Sequence, residues 1–598
     1  MSAKAAAPGG SLGSAKVRSA LARVGFARGL TREMTGHGFG YTALALVGLL
    51  VGAPVLAVVL MSLRAGLPGQ ASPLTLENYH RAYADPIFLQ VLLNTFFFAG
   101  GTVLVALIFT LPMVWLFNRT DLPGREAIFV FLITSFLVPV FLRAIGWILV
   151  FSPEVGLLNS AARSVFGAER PIFSIYNITG MAFVQGLALV PASFFMLSAA
   201  FRAMDPALEE ASYICGASRL RTLLRINIPA SWPAIAAVMV YMLMLAVSLF
   251  EVPAVVGWPA RIFVLSSLIY FAVTPNVGLP KYGIAGAYGL LMMALGLILA
   301  YLYFRVIRET RKYAVVTGRG YRPKMLRLGR WKYAAMAFVG VYLALDFVLP
   351  FGALLWVSLL PHAQVFSVEA LSKLTLVNYR QIPDLIGVRP FINTMFLVLL
   401  VPTLSMSLSI FVSWVVVRQR FRLGGVLDAF AFLPLAVPQI LFAVALAYLA
   451  LLFREVLPIY GSVFIIVLAH TIAYLAYGSR TMNGVMVQIH HELEESGRVC
   501  GSSKLRVLWR IVIPLMAGAV VNAWLWISLL SYREVTMALT LRGPDNVVLA
   551  TLIWQLWFSG LAPEVGALGV MLIAAVVPIA WLARSVFASI AKGYSDGR

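Results

Sequence analysis

Apolar residues run along this chain in long, nearly uncharged blocks separated by short polar breaks. Several windows exceed 18 residues, the length at which a helix crosses the hydrocarbon of a bilayer, where the backbone must satisfy its own hydrogen bonds. The blocks predict helices near 41–63, 91–117, 127–151, 177–201, 232–255 and 284–306, then near 333–358, 391–417, 427–453, 461–479, 515–531 and 564–588. The alternating pattern of barrel strands is absent. The fold class predicted is an all-α membrane protein with about twelve transmembrane helices in two six-helix halves.

The second set of blocks repeats the first. Leu74-Thr75-Leu76-Glu77-Asn78-Tyr79 is echoed by Leu374-Thr375-Leu376-Val377-Asn378-Tyr379, Asn94-Thr95 by Asn393-Thr394, Arg119 by Arg418 and Pro139 by Pro438, all 299 or 300 positions apart. Further on, Glu209-Glu210-Ala211-Ser212-Tyr213-Ile214-Cys215-Gly216, nine residues, then Ile226-Asn227-Ile228-Pro229 recurs 285 positions later. The second copy is Glu494-Glu495-Ser496-Gly497-Arg498-Val499-Cys500-Gly501, nine residues, then Ile511-Val512-Ile513-Pro514. The change of offset predicts about 15 extra residues in the first half, in the outer loop near 152–174. Halves with an even number of helices keep one orientation, so they are expected to be parallel, related by a pseudo-twofold axis along the membrane normal around a central pathway.

Composition agrees: of 598 residues 61% are hydrophobic and 12% charged, with a mean hydropathy of +0.90, against roughly 25% charged in soluble domains. The net charge of +22 sits at helix ends. With the N-terminus inside, Arg119 and Arg125, then Arg418, Arg420 and Arg422, and the run from Arg305 to Lys332 all fall in cytoplasmic loops, as the orientation rule for short loops requires. The charge therefore speaks for membrane lipid and against nucleic acid, since no soluble segment is long enough to carry a basic face. The expected organisation is a basic cytoplasmic tail over 1–40, a first membrane domain over 41–306 with a polar loop at 203–230, a basic linker over 307–332, and a second membrane domain over 333–590 with its loop at 488–515. Both termini are expected in the cytoplasm. Cys215 and Cys500 lie in the two loops, where a reduced compartment and small-residue packing account for them better than a disulfide or a metal.

Each loop reads as helix, glycine turn, helix, proline. Asp205 is a candidate N-cap, with Pro206 in the first turn and Glu209 and Glu210 near the positive end of the helix dipole. Gly216 ends that helix, Ser218 caps a second one with Leu220, Leu223 and Leu224 on one face, and Pro229 ends or bends it. In the second copy Ser503 caps, and Leu505, Leu508 and Trp509 form the face. One basic amphipathic segment beside a membrane lies on headgroups. Two in the same register, each between the fourth and fifth helix of its half, predict paired docking surfaces. His490 and His491 are assigned to solvated or docking positions, and no catalytic or metal-binding constellation is predicted.

This Glu-Ala-Ser-x3-Gly-x9-Ile-x-Ile-Pro pattern resembles the signature loop of the membrane subunits of type I binding-protein-dependent ABC importers, and the repeat and helix layout extend the resemblance over about 41–590. The resemblance implies that the loops form coupling helices carried by Glu210, Ala211, Gly216, Ile226 and Pro229, and by Glu495, Ser496, Gly501, Ile511 and Pro514. It implies two copies of an ABC ATPase subunit inside, which bind ATP and Mg, a periplasmic substrate-binding protein outside, and a bacterial inner-membrane location. Ser212, Ser496 and Gly497 depart from the family's alanines, and Gly497 is expected to loosen the second coupling helix. No Gly-Lys dipeptide occurs, so the chain has no common P-loop and is expected not to be an enzyme itself.

The stretch Phe250-Glu251-Val252-Pro253 to Tyr270 resembles ferric-iron permeases of this class, while related groups carry polyamines, aminophosphonates, thiamine or oxyanions. Glu251 and Glu534 are expected at roughly equivalent outer helix ends, either as interfacial charges or lining a cation route. A rival from another class is an ion-coupled secondary transporter, in which the paired loops have no duty.

Overall fold

A computed structural model describes residues 38–575 and 578, apart from 154–155, 168–169, 205, 276–277, 311–324, 365–366 and 420. The basic tail up to residue 37, Asp205, most of the linker and the end of the last predicted helix lie outside the described residues.

The first half contains α1 (Gly38–Ser62), α2 (Glu77–Tyr83), α3 (Ile87–Arg119), α4 (Arg125–Leu137), α5 (Val140–Phe151), α6 (Leu157–Phe166), α7 (Ile178–Ala203), α8 (Pro206–Ile214), α9 (Arg219–Thr222), α10 (Leu223–Ser248), α11 (Leu265–Val273) and α12 (Tyr282–Thr310). The second contains α13 (Trp331–Ser358), α14 (Val368–Ser372), α15 (Val377–Ile386), α16 (Arg389–Arg418), α17 (Gly424–Ala436), α18 (Gln439–Leu452), α19 (Val463–Gln488), α20 (His491–Val499), α21 (Lys504–Leu515), α22 (Ala517–Arg533), α23 (Thr536–Thr540), α24 (Leu549–Phe558) and α25 (Ala562–Ala575). Among the described residues the only β pairing is two isolated bridges.

Among the described residues eight helices are long and apolar enough to cross a membrane, and three bent pairs bring the number to as many as 11; the twelfth predicted span is described only as far as α25. Two predicted spans are corrected. The expected continuous helices 127–151 and 427–453 are each broken, at Val138-Pro139 with a 96° bend and at Val437-Pro438 with a 105° bend. The residue before a proline is forced out of the helical region, and Val138 and Val437 take extended ψ values of 132° and 125°. The extra residues of the first half form α6, fastened by Asn159, whose side chain donates to Phe151 O, Ser152 O and Phe173 O.

Three other prolines, Pro54, Pro229 and Pro350, leave their helices continuous, whereas α21 ends one residue after Pro514 at a 79° bend into α22. Pro54, Pro229, Pro350 and Pro514 each follow, by two positions, a widened five-residue turn: Gly48–Gly52, Leu223–Asn227, Ala344–Val348 and Leu508–Val512. A proline offers no N–H and its ring crowds the preceding turn, and a π-turn makes room for it. Pro229 therefore does not end its helix; α9 continues directly into α10.

The sequence echoes correspond to duplicated hydrogen bonds. Asn78 Nδ2 donates to Ser62 O and Arg64 O, and Asn378 Nδ2 to Ser358 O and Leu360 O; Tyr79 and Tyr379 meet Ser62 and Ser358 at 2.7 Å. Asn94 donates to Phe263 O and Thr95 accepts from Leu265 N, as Asn393 donates to Val547 O and Thr394 accepts from Leu549 N. These clasps fasten the end of each half's first span and its α11- or α24-type hairpin.

The halves interlock. α5 of the first packs on the α13 span of the second, and α18 of the second packs on α1 of the first. Gly146 of α5 lies so close to the Pro350 carbonyl that a Cβ there has no room. Exposed Leu49, Phe97, Leu104 and Ile108 face outward, as a lipid-facing surface requires.

Candidate functional site: paired loops at one end of the bundle

Thr120, just past α3, bridges to Leu326 ahead of α13, and Tyr41 at the start of α1 packs on Phe421 just past α16, with ring centroids 5.2 Å apart. α1 leaves this end and α3 returns to it, so both repeated loops project from the same end of the bundle.

Each loop is held by a buried arginine. Arg119 Nη2 donates to Phe201 O and Met204 O at 2.7 and 2.9 Å, and Arg418 Nη2 donates to Met486 O and Ile489 O at 2.6 Å each. Their Nε atoms lie 3.3 Å from Glu209 and 2.9 Å from Glu494. Both arginine side chains are 2% exposed. One residue thus closes the exposed carbonyls at the end of the fourth span and pairs with the loop's first glutamate. Asn227 Nδ2 also donates to Glu209 at 3.1 Å, where the second loop has Val512. Burial holds the Glu209 carboxyl above the usual carboxylate range, against the lowering pull of Arg119 and the Asn227 hydrogen bond.

The glycine turns match. Gly216 and Gly501 have φ of +77° and +80°, the left-handed cap that glycine adopts without penalty, and open space surrounds the position of a Cβ at both. Ser218 and Ser503 accept from Arg221 N and Arg506 N, as N-caps. The two short helices close on each other differently: Ser212 and Thr222 share a hydrogen bond of 2.9 Å, whereas at the equivalent positions Gly497 faces Val507. A Cβ on Gly497 would stand 2.7 Å from Ile511 Cδ1. Gly497 thus allows close packing, in place of the loosening expected of it.

Of the residues singled out by sequence, Glu210, Ala211, Gly216 and Pro229, and Glu495, Ser496, Gly501 and Pro514, are exposed, while Ile226 and Ile511 are half-buried. His490 and His491 are also exposed. The predicted apolar face divides: Leu224, Leu505 and Trp509 are exposed, Leu223 is half-buried and Leu508 is buried. Three exposed apolar pairs lie 285 positions apart: Leu208 and Leu493, Ile214 and Val499, Leu224 and Trp509. Sequence reading missed Glu209 and Glu494 as the clamped acids and took Arg119 and Arg418 for loop charges. The signal was present in the doubled glutamate of each copy and in the echoed arginine.

Glu251 and Glu534 are not equivalent. α10 ends at Ser248 and α22 at Arg533, so Leu249 is the counterpart of Glu534 and Glu251 lies two residues further on. Glu251 accepts from Phe141 N in the first turn of α5 at 3.2 Å. Glu534 accepts from Met537 N and Ala538 N and lies 3.0 Å from His470 Nε2. Arg533 does not pair with Glu534: it donates to the Phe136 carbonyl and lies over the Phe136 ring. His470, alone in an apolar helix, gave no sequence signal. Nor did Arg143 and Asp346, a fully buried pair 3.3 Å apart that joins α5 to α13 across the halves.

The family described as binding-protein-dependent transport system inner membrane component matches residues 87–312 and again 405–595. The chain belongs to this family. It is a permease carrying the family's domain twice. A ferric transport system permease protein, FbpB, of Actinobacillus pleuropneumoniae is 26% identical over 455 residues, 75% of this permease and 64% of that protein, so this chain spans less than two thirds of that relative. A putative 2-aminoethylphosphonate transport system permease protein, PhnU, of Salmonella typhi is 29% identical over 196 residues, 32% of this permease and 66% of that protein. The spermidine/putrescine transport system permease protein PotB of Escherichia coli (strain K12) is 30% identical over 185 residues, 31% and 66% of the two chains.

Proposed function

We propose that this permease is the membrane subunit of an ATP-driven importer of the bacterial inner membrane, with both loops and both termini in the cytoplasm. Each loop docks one of two copies of a separate ATPase subunit, which holds the ATP and Mg. The observation that carries the reading is the duplicated exposed surface of Leu208, Ile214 and Leu224 against Leu493, Val499 and Trp509, beside Glu210 and Glu495. Apolar patches exposed in register at a polar surface are suited to a protein partner. Glu210, Ala211, Gly216, Ile226 and Pro229, with Glu495, Ser496, Gly501, Ile511 and Pro514, form the coupling elements. Because α9 runs straight into α10, and α21 into the bend before α22, movement of a docked loop is carried into the fifth span of each half. Closure of the ATPase pair then rocks the interlocked halves and exposes the central pathway to a periplasmic binding protein at the far end.

Ferric iron is the cargo this reading favours, on the likeness to FbpB over both halves. Aminophosphonate and polyamine are second readings, supported by likeness to single-domain stretches. A tagged chain expressed with its neighbouring genes is expected to retain an ATPase; a preparation that retains none overturns the importer reading. The neighbouring binding protein is expected to bind ferric iron, and one with no affinity for it overturns the cargo assignment alone.

A further inference from the structure

At the end of the bundle opposite the two loops, a cavity of about 250 Å³ lies between the halves. Tyr270, Thr274 and Tyr282 line it from the first half, and Tyr460, Thr540 and Arg542 from the second. Tyr270, Tyr282 and Thr540 are buried, while Tyr460 and Arg542 are exposed at its mouth. Thr274 and Thr540 donate their hydroxyl hydrogens to backbone carbonyls at 2.7 Å each, so the donors left to a ligand are phenol hydroxyls and the guanidinium. Among the described residues, Tyr282 and Tyr460 hydroxyls and the Arg542 guanidinium have no hydrogen-bond or ion-pair partner. Among the described residues no carboxylate lines the cavity, and Arg542 is the charged side chain that shares its wall with Tyr270.

The other half provides an internal control. The matched bonds at Leu265 N and Leu549 N set α11 and α24 in register 284 positions apart, which brings Trp554 and Phe558 to the positions of Tyr270 and Thr274. The bonds from Ala254 N to Phe250 O and from Leu539 N to Val535 O set the preceding segment 285 apart, which brings Val255 to the position of Thr540. There the space is filled: Trp554 packs on Phe558 at 4.9 Å, and Phe558 on Trp258 at 5.1 Å. The same fold position is a packed aromatic cluster in one half and an open, hydroxyl-lined, cationic cavity in the other, so the fold alone does not require the cavity.

A guanidinium and phenol donors without a competing carboxylate select an oxyanion, whose planar or tetrahedral oxygens accept from the arginine fork, and the surrounding protein strengthens that attraction over its value in water. A polyamine meets a like charge. We infer that this cavity is an oxyanion-binding vestibule on the solute's entry route. The inference rests on the importer reading and narrows it: the cargo carries its own oxyanion, either as a phosphonate or as oxyanion ligands accompanying a ferric ion.

Titration of the purified full chain in lipid nanodiscs with inorganic phosphate, citrate and ferric citrate, at matched ionic strength and with spermidine as the cationic control, tests this. Phosphate or citrate is expected to bind and spermidine not to compete. Arg542→Gln, at an exposed position that keeps the fold, is expected to weaken anion binding about tenfold or more, the loss of a charge-assisted hydrogen bond, and Tyr282→Phe to weaken it several-fold. Tighter binding of ferric citrate than of citrate assigns the anion to a metal complex; tighter binding of phosphate assigns it to a phosphonate-type solute. Absence of anion binding in the wild type, or binding unchanged in both variants, overturns the vestibule. Retention of an ATPase by the same preparation is read separately, so an importer without an anion site and an anion site without an importer are told apart.

Discussion

The two halves of this permease agree at some positions and part company at others. Both loops keep a buried arginine on two span-end carbonyls, a glutamate beside it, a left-handed glycine and a serine cap. Behind these, the first loop uses polar partners, Asn227 on Glu209 and Thr222 on Ser212, where the second has Val512 and Val507 with Gly497. Arg143 and Asp346 join the halves on one side, whereas the register of the broken spans and first spans sets Phe442 and Leu50 at the equivalent positions. What is kept twice is what each loop needs to present the same surface; the interior supporting that surface has only to be filled, by whichever chemistry closes it.

The largest effects are expected where a charge is stranded. Asp346→Ala leaves Arg143 buried without an anion and is expected to cost about 3–5 kcal/mol, whereas Arg143→Phe with Asp346→Leu, which copies the other side, is expected to be neutral or stabilising. Thermal unfolding in detergent separates the two, and a double variant as unstable as the single would break the equivalence of the two sides. Glu494→Ala is expected to cost a similar ~3–5 kcal/mol. Glu209→Ala is expected to cost more, because it also strips Asn227 of its acceptor.

Next come the turns. A valine at Gly216 or Gly501 meets no neighbour but must adopt a left-handed backbone, at about 1–2 kcal/mol. Transport is expected to fall while ATP hydrolysis continues and the protein stays in the membrane, with asparagine milder than valine. Equal transport by wild type and valine variants would remove the turns from the coupling role. Gly497→Ser alone is expected to cost about 1–3 kcal/mol by overpacking Ile511, and adding Val507→Thr is expected to recover part of it by restoring the hydrogen bond of the first loop. The smallest effect is in pH. Because burial raises the Glu209 carboxyl, its contribution to stability is complete below the ordinary value of 4.5 and is lost as pH rises through the raised value; Glu209→Gln is expected to remove that dependence from an unfolding series over pH 4–8.

The features legible in the sequence were those that a local rule repeats. Asn78, Asn94 and Arg119 stood out because each donates side-chain hydrogens to fixed backbone carbonyls, a duty few residue types perform, so the second copy kept the same letter. Gly216 and Gly501 were legible because a left-handed cap admits little else. The breaks at Pro139 and Pro438 were not, since an apolar block reads the same whether its helix is straight or bent by a right angle. His470 with Glu534, Arg143 with Asp346, and the cavity at Arg542 were hidden for another reason: their partners lie 64 to 272 residues apart, and no periodicity reports contacts between elements.

The chain's only two cysteines, Cys215 and Cys500, are both exposed and sit immediately before the two glycine turns. Spin labels on them report the separation of the loops without any substitution. With the partner ATPase bound, addition of a non-hydrolysable ATP analogue is predicted to shorten the distance between the labels. An unchanged distance in a complex that binds the nucleotide would contradict the proposal that closure of the ATPase pair moves the docked loops and rocks the halves.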